Sequence, residues 1–273
     1  MASSASREAY ADASEQLTAN TASATPAQLA TVADEILSVA GLLRAQPRLR
    51  RALTDPSRPG PDRAGLLKGL LSGKVSQASV NVLAALANGR FSKPADLLDA
   101  TERLGVDTLL ASAAKDDKLA EVEDELFRFS QIVSGDSVLA VTLSDPGASL
   151  ERRVKLVQDL LKGKVHVATG RLVEVALVGF GGRGFETSLS RLVELTAAKR
   201  DREVAYVTVA KALTDTEEQS LAAKLAAIYG REVSLKVGVD PAVIGGVSVR
   251  VGSDLYDGTI LRRLNAAKQA FAK

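Results

Sequence analysis

Residues 173–186 read VEVALVGFGGRGFE, and the fold turns on how they are taken. Read as strand, loop and helix, Gly179, Gly181 and Gly184 form the G-x-G-x-x-G turn that opens a dinucleotide-binding unit. Read as helix, corner and helix, the same glycines only redirect the chain. The nucleotide reading requires a helix over 185–199, a second strand at Val204–Val209, and an acidic residue at that strand's end to hold the ribose hydroxyls. The helix and strand patterns are present, but Ala210 and Lys211 stand in the acidic position. The chain beyond Arg202 is short and reads partly as a hairpin rather than as further parallel units.

An internal repeat favours the corner. LTDP at 53–56 returns as LSDP at 143–146, and LLKGLLSGKV at 66–75 returns as LVQDLLKGKV at 156–165, both at an offset of 90 residues. A gap-free offset shared by two motifs marks a duplicated helical unit. Continued, the alignment sets ANGRF at 87–91 opposite GGRGF at 181–185 after a small insertion. Asn88-Gly89 is a helix end in the first copy, so Gly179–Gly184 is expected to be an expanded helix–helix corner and VEVALV a buried helix. A second phosphate-loop look-alike, GLLSGKV at 69–75, lacks the required spacing and the following Ser or Thr.

The rest of the first 200 residues has helical spacing. Thr25-Pro26-Ala27-Gln28 is a capping box with proline in the first turn, and Leu29, Val32, Ile36 and Val39 follow as one apolar stripe. Pro47, Pro56, Pro59 and Pro61 cut the next stretch into short helices. Residues 94–134 predict one long helix or two nearly continuous ones. After Arg202 the texture changes. Val204–Val209 reads as a strand buried on both faces, and Thr214–Glu217 as a capping box closed by Gly230. Val233, Leu235, Val237 and Val239 alternate as a half-buried strand, and Val247, Val249 and Val251 as another. The fold class expected is α+β: mostly α, with an N-terminal helical bundle partly duplicated and a small C-terminal α/β domain carrying a short sheet. The domains expected are 1–110, 111–200 and 201–273.

Composition narrows the function. Of 273 residues, 46% are hydrophobic, 25% are charged and the formal net charge is +2. A balance this close to neutral argues against nucleic acid as a partner. There is no cysteine and a single histidine, His166, expected at the surface. Thiol, zinc and Ser-His-Asp chemistries therefore lose their usual residues, and no cofactor or metal is expected. No signal peptide and no apolar run of spanning length is visible, which argues against direct membrane insertion.

The most specific stretch is DPAVIGGVSVRVGSDLYDGTILRRL, 240–264. It reads as a strand entry at Asp240-Pro241, a close-approach site at Gly245-Gly246, an alternating strand and a turn at Gly252. Asp257-Gly258-Thr259 then caps a helix. Asp240, Asp254 and Asp257 each fall at a turn or cap, where Asp is expected without any metal. This pattern resembles the signature of the delta-subunit family of F-type ATP synthases, whose mitochondrial homologue is the oligomycin-sensitivity-conferring protein. SREAYADASEQL at the N-terminus, LLRAQPRLRRALTDP and LAALANGRF resemble that family's opening, second, third and fifth helices. The resemblance covers about 1–110 and 200–273. The departure is a second, partial helical copy at about 113–200, lacking its own first helix unless the long connecting helix supplies it.

The resemblance implies a non-catalytic stator, located peripherally at the cytoplasmic face of the cell membrane. It would tie the catalytic hexamer to the peripheral stalk. It implies a groove for amphipathic N-terminal helices of alpha subunits, with Tyr10, Val82 and Leu86 as contact candidates. It also implies a C-terminal seat for the b-subunit stalk, with Ile260, Leu264 and Phe271 as candidates. A helical adaptor unrelated to ATP synthase, or a dinucleotide-binding enzyme using Gly179–Gly184, are the alternatives.

Overall fold

The computed structural model describes residues 3–200, 202–230, 232–240, 243, 245–251 and 254–260. The helices are α1 (Ser4–Thr21), α2 (Pro26–Ala45), α3 (Pro47–Leu53), α4 (Gly60–Leu71), α5 (Gln77–Asn88) and α6 (Pro94–Lys115). They continue with α7 (Leu119–Gly135), α8 (Ser137–Ser144), α9 (Leu150–Leu161), α10 (Val167–Val178), α11 (Phe185–Lys199) and α12 (Asp215–Tyr229). The strands are β1 (Arg202–Val209), β2 (Glu232–Val239), β3 (Val247–Val251) and β4 (Asp254–Asp257). The chain forms two compact units: Met1–Val122 with Val141–Ser188, and Glu123–Ala140 with Leu189–Lys273.

In the first unit, sequence logic and structure agree closely. Thr25 Oγ1 accepts from the Gln28 amide at 3.3 Å and Gln28 returns the bond to the Thr25 amide at 2.8 Å, so α2 starts where its capping box says. Leu29, Val32, Ile36 and Val39 are all buried, and Ile36 is fully so. Each such side chain contributes about 1.5–3 kcal/mol through removal from water. Glu35, on the same helix, holds the start of α5. It accepts from the Ser76 amide at 2.9 Å, Ser76 Oγ at 2.6 Å and Ser79 Oγ at 2.5 Å.

The duplication is visible atom by atom. α9 and α10 begin and end 90 residues after α4 and α5. Gly73 and Gly163, after α4 and α9, both take left-handed φ, +72° and +68°. Asp55 accepts from the Ser57 amide, and Asp145 repeats that turn with the Gly147 amide. Arg63, buried, donates to the carbonyls of Ala87, Asn88 and Gly89 at the end of α5. Arg153 repeats the arrangement on Leu143 and Leu177. These arginines satisfy helix C-terminal carbonyls that have no intrahelical partner.

The connecting segment resolves into two helices. They break at a Schellman turn in which the Lys118 amide reaches the Ala113 carbonyl at 2.8 Å and Asp117 takes φ +55°. Glycine usually fills that position, and its absence kept the break out of view in the sequence. α6 starts 90 residues after α1, and α10 packs on it as α5 packs on α1. α6 is thus the last helix of the first copy and the first helix of the second. By the 90-residue offset, α6 to α11 correspond in sequence order to α1 to α6, so α6 supplies the first helix that the second copy lacked.

The second unit holds a four-stranded sheet of order β2-β1-β3-β4. β1 and β2 are parallel, joined through α12, with Ala205 opposite Leu235; β3 pairs antiparallel to β1 and to β4. Ala205, Val207, Val209, Val249 and Val251 form its core with Leu225 of α12. β1 is largely covered on its other side too, where Val204 is buried. For β2 the structure corrects the expected solvated face. Lys236 is only 3% exposed, with Nζ 2.8 Å from Asp124 and 3.0 Å from Glu123 of α7, above the Phe127 ring. Glu123, 0% exposed, also takes Arg200 at 2.6 Å and Ser234 Oγ at 2.5 Å. Alternation alone could not reveal that α7, more than a hundred residues upstream, covers this face.

Two outcomes follow. Lys236→Ala leaves the buried Glu123 under-compensated and lowers the unfolding free energy by about 3 kcal/mol in urea titration. Burial pushes the Glu35 carboxyl up, but its three hydrogen bonds prevail and hold it below the ordinary glutamate value. Its contribution is therefore full above the unfolded-state pKa and lost as pH falls through the lower folded-state value. Glu35→Gln flattens that part of the acid limb in a stability–pH profile.

Candidate functional site

The glycine corner is the first candidate, and its geometry is decisive. Residues 173–178 lie in helix α10, not in a strand. Gly179 caps α10 at φ +90°, where an added Cβ would sit 2.8 Å from the Arg183 carbonyl oxygen. A single 3-10 turn, Phe180–Gly182, leads into α11. The Gly181 amide points at an anion, as a phosphate loop would, but the anion belongs to the chain. Glu102 Oε2 of α6 accepts it at 2.8 Å, with the Glu102 side chain 5% exposed. Arg44 of α2 pairs with the other Glu102 oxygen and also donates to the Val178 carbonyl. The loop's anion seat is filled from within, and the dinucleotide alternative is overturned.

The helical face holds the next candidates. Tyr10 is half-buried, and its hydroxyl donates to Asp107 of α6, which Arg103 Nε also reaches at 2.9 and 3.0 Å. Burial and the Asp107 charge push the phenol well above its usual range. Val82 and Leu86 are 0% and 1% exposed, within the first-copy core. They stabilise the bundle, and what α5 shows outward is Asn81, Ala85 and Asn88. Those residues, with Gln16 of α1 and Ala64, Gly65 and Lys68 of α4, line a cleft of about 460 Å³. Heptad-style spacing marks a helix face as apolar without saying whether a core or a partner covers it. The cleft's local signal in the sequence is confined to the small pairs Ala64-Gly65 and Ala84-Ala85.

The described residues of the C-terminal signature are closely packed. Gly246, at φ +86°, lies where a Cβ would come within 2.5 Å of the Gly258 carbonyl oxygen. Two hydrogen bonds of 2.9 Å tie the segments together, from the Gly258 amide to Val247 and from the Ile260 amide to Gly245. Asp257 accepts from the Thr259 amide at 3.0 Å and the Thr259 hydroxyl at 2.7 Å, capping the helical turn at Ile260. The Asp240 amide bonds the Val209 carbonyl at 2.8 Å. Ile260 is 43% exposed. Pro241, Gly252, Leu264 and Phe271 lie outside the described residues. His166, expected at the surface, caps α10: Nδ1 accepts from the Ala168 amide at 3.2 Å, and Nε2 lies 3.3 Å from Asp116.

A family model described as ATP synthase delta (OSCP) subunit matches residues 106–271. The chain belongs to that family. Over 273 residues it is 59% identical to the ATP synthase subunit delta of Salinispora arenicola, covering 100% of both chains. It is 42% identical to that of Parafrankia sp., over 98% of this chain and 99% of the relative. It is 41% identical to that of Streptomyces griseus, over 98% and 99%. The family match begins inside α6 and takes in the second helical copy with the sheet. This corrects the expectation that the middle of the chain is what departs from the family, and the relatives align across both copies.

Glu102→Ala strands the Gly181 amide and frees Arg44, so it lowers stability by about 2–3 kcal/mol in urea titration. A dinucleotide titration of the intact chain gives no saturable signal.

Proposed function

We propose that this chain is the non-catalytic stator subunit of a proton-translocating F-type ATP synthase, linking the catalytic alpha/beta hexamer to the membrane-anchored b stalk. Whole-length identity of 59% to a protein named ATP synthase subunit delta carries this reading. No described helix is long and apolar enough to cross a membrane, which suits peripheral attachment at the cytoplasmic face of the cell membrane through partners. The division 1–110, 111–200 and 201–273 corresponds in this reading to two helical copies and a stalk-binding part.

The first-copy cleft is the seat for an amphipathic N-terminal helix of an alpha subunit. Its floor of Ala64, Gly65, Ala84 and Ala85 takes large apolar anchors, and exposed Lys68 on its rim favours an acidic residue beside them. Tyr10 holds α1 in place against α6 rather than greeting the partner. Ile260, Leu264 and Phe271 are the candidate contacts for the b helices.

A tagged chain pulled from solubilised membranes brings down alpha, beta and b subunits near one stalk per hexamer. Recovery of the chain alone from the soluble fraction would reject the reading. Gly65 has nothing within 4 Å of an added Cβ, so Gly65→Leu folds and fills the cleft. Its affinity for a peptide of the alpha-subunit N-terminal helix falls about tenfold or more, read by fluorescence anisotropy.

A further inference from the structure

The duplication sets a second cleft where the first would repeat. Ala64, Ala85 and Asn88 recur 90 residues later as Val154, Val175 and Val178, and Asn81 and Ala84 as Arg171 and Glu174. These residues of α9 and α10 line a cleft of about 420 Å³. Its opposite wall is α2 of the first copy, presenting Leu37, Ser38, Ala40 and Gly41.

Two differences from the first cleft set its chemistry. Ala64 and Ala85 have become Val154 and Val175, which with Val178 make an aliphatic floor, while Ala84 has become Glu174 at its edge. The walls are linked at both ends, by an ion pair at one and by an arginine on a backbone carbonyl at the other. Arg171 Nη2 lies 3.1 Å from Asp34, with Glu174 3.3 Å from its other arm. At the far end Arg44 holds Glu102 and the Val178 carbonyl. These cross-links bring α2 and α10 within reach of one side-chain pair. An α-helix with side chains is about 10–12 Å across, so none can lie between them. The rim charges are paired with each other and call for no charged ligand. What remains is an apolar socket within the roughly 300–1,000 Å³ typical of small-molecule sites.

We propose that this socket binds an uncharged apolar small molecule, held between α2 of one copy and α9 and α10 of the other. Gly41 keeps the socket open: nothing lies within 4 Å of an added Cβ there, although glycine is a poor residue for a helix interior. An occupant touches both copies at once and stabilises their pairing by mass action.

The probe is N-phenyl-1-naphthylamine, a neutral dye that brightens in apolar surroundings, titrated into the full chain. One saturable site is expected. Gly41→Leu and Ser38→Leu, each adding an apolar side chain from the α2 wall, weaken binding about tenfold or more. Gly65→Leu, which fills the other cleft, leaves it unchanged. Absence of saturable binding, indifference to both α2 variants, or loss only in Gly65→Leu would overturn the proposal. So would displacement of the dye by the alpha-subunit helix peptide, which would mark a helix seat instead.

Discussion

Helix α6 is packed from both copies at once: α1, α2, α3 and α5 of the first copy lie against it, and so does α10 of the second. An ordinary surface helix hides one stripe, whereas a helix packed by two copies is buried nearly all round, and its polar groups must find partners. Leu97, Ala100 and Leu104 serve the first copy's core, while Leu109, Leu110 and Ala113 are buried further along. Thr101 and Thr108 are buried as well, with hydroxyls returned to the Leu97 and Leu104 carbonyls, so they carry no unpaired polar group inward. Glu102 is the exception that ties the copies together. Its carboxylate is buried only because Arg44 and the Gly181 amide meet it.

That ion pair explains why the glycine motif misleads. A chain that turns sharply with left-handed glycines exposes backbone amides, and exposed amides attract an anion whatever its origin. In a nucleotide-binding protein the anion is a phosphate; here it is a carboxylate thirteen positions before the end of α6. The spacing G-x-G-x-x-G records the turn and says nothing of which anion fills it. The repeat did carry that information, because Gly179–Gly184 falls where the first copy merely ends a helix.

Signals that are local were legible in the sequence, and signals that cross the fold were not. Both capping boxes, the α5 and α10 ends, the Gly246 close approach and the alternating strands all follow from residues within a few positions of one another. The left-handed Asp117 escaped because the usual glycine was missing. Buried Lys236 escaped because its partners Glu123 and Asp124 sit on a distant helix. Val82 and Leu86 have the spacing of a contact face, yet the bundle consumes them. Arg63 and Arg153 carry a sequence signal of their own, being identical at the repeat offset.

Sharing a helix also makes the architecture open-ended. Each further copy would cost ninety residues and five helices, not six, because the preceding copy supplies the first. α11 is the helix a third copy would borrow, as α6 was borrowed before it. Such an array behaves like a growing polymer, with a reactive end that must be quenched. After α11 the chain switches to the β-branched strand β1, so no further helical copy follows and the array is terminated at two.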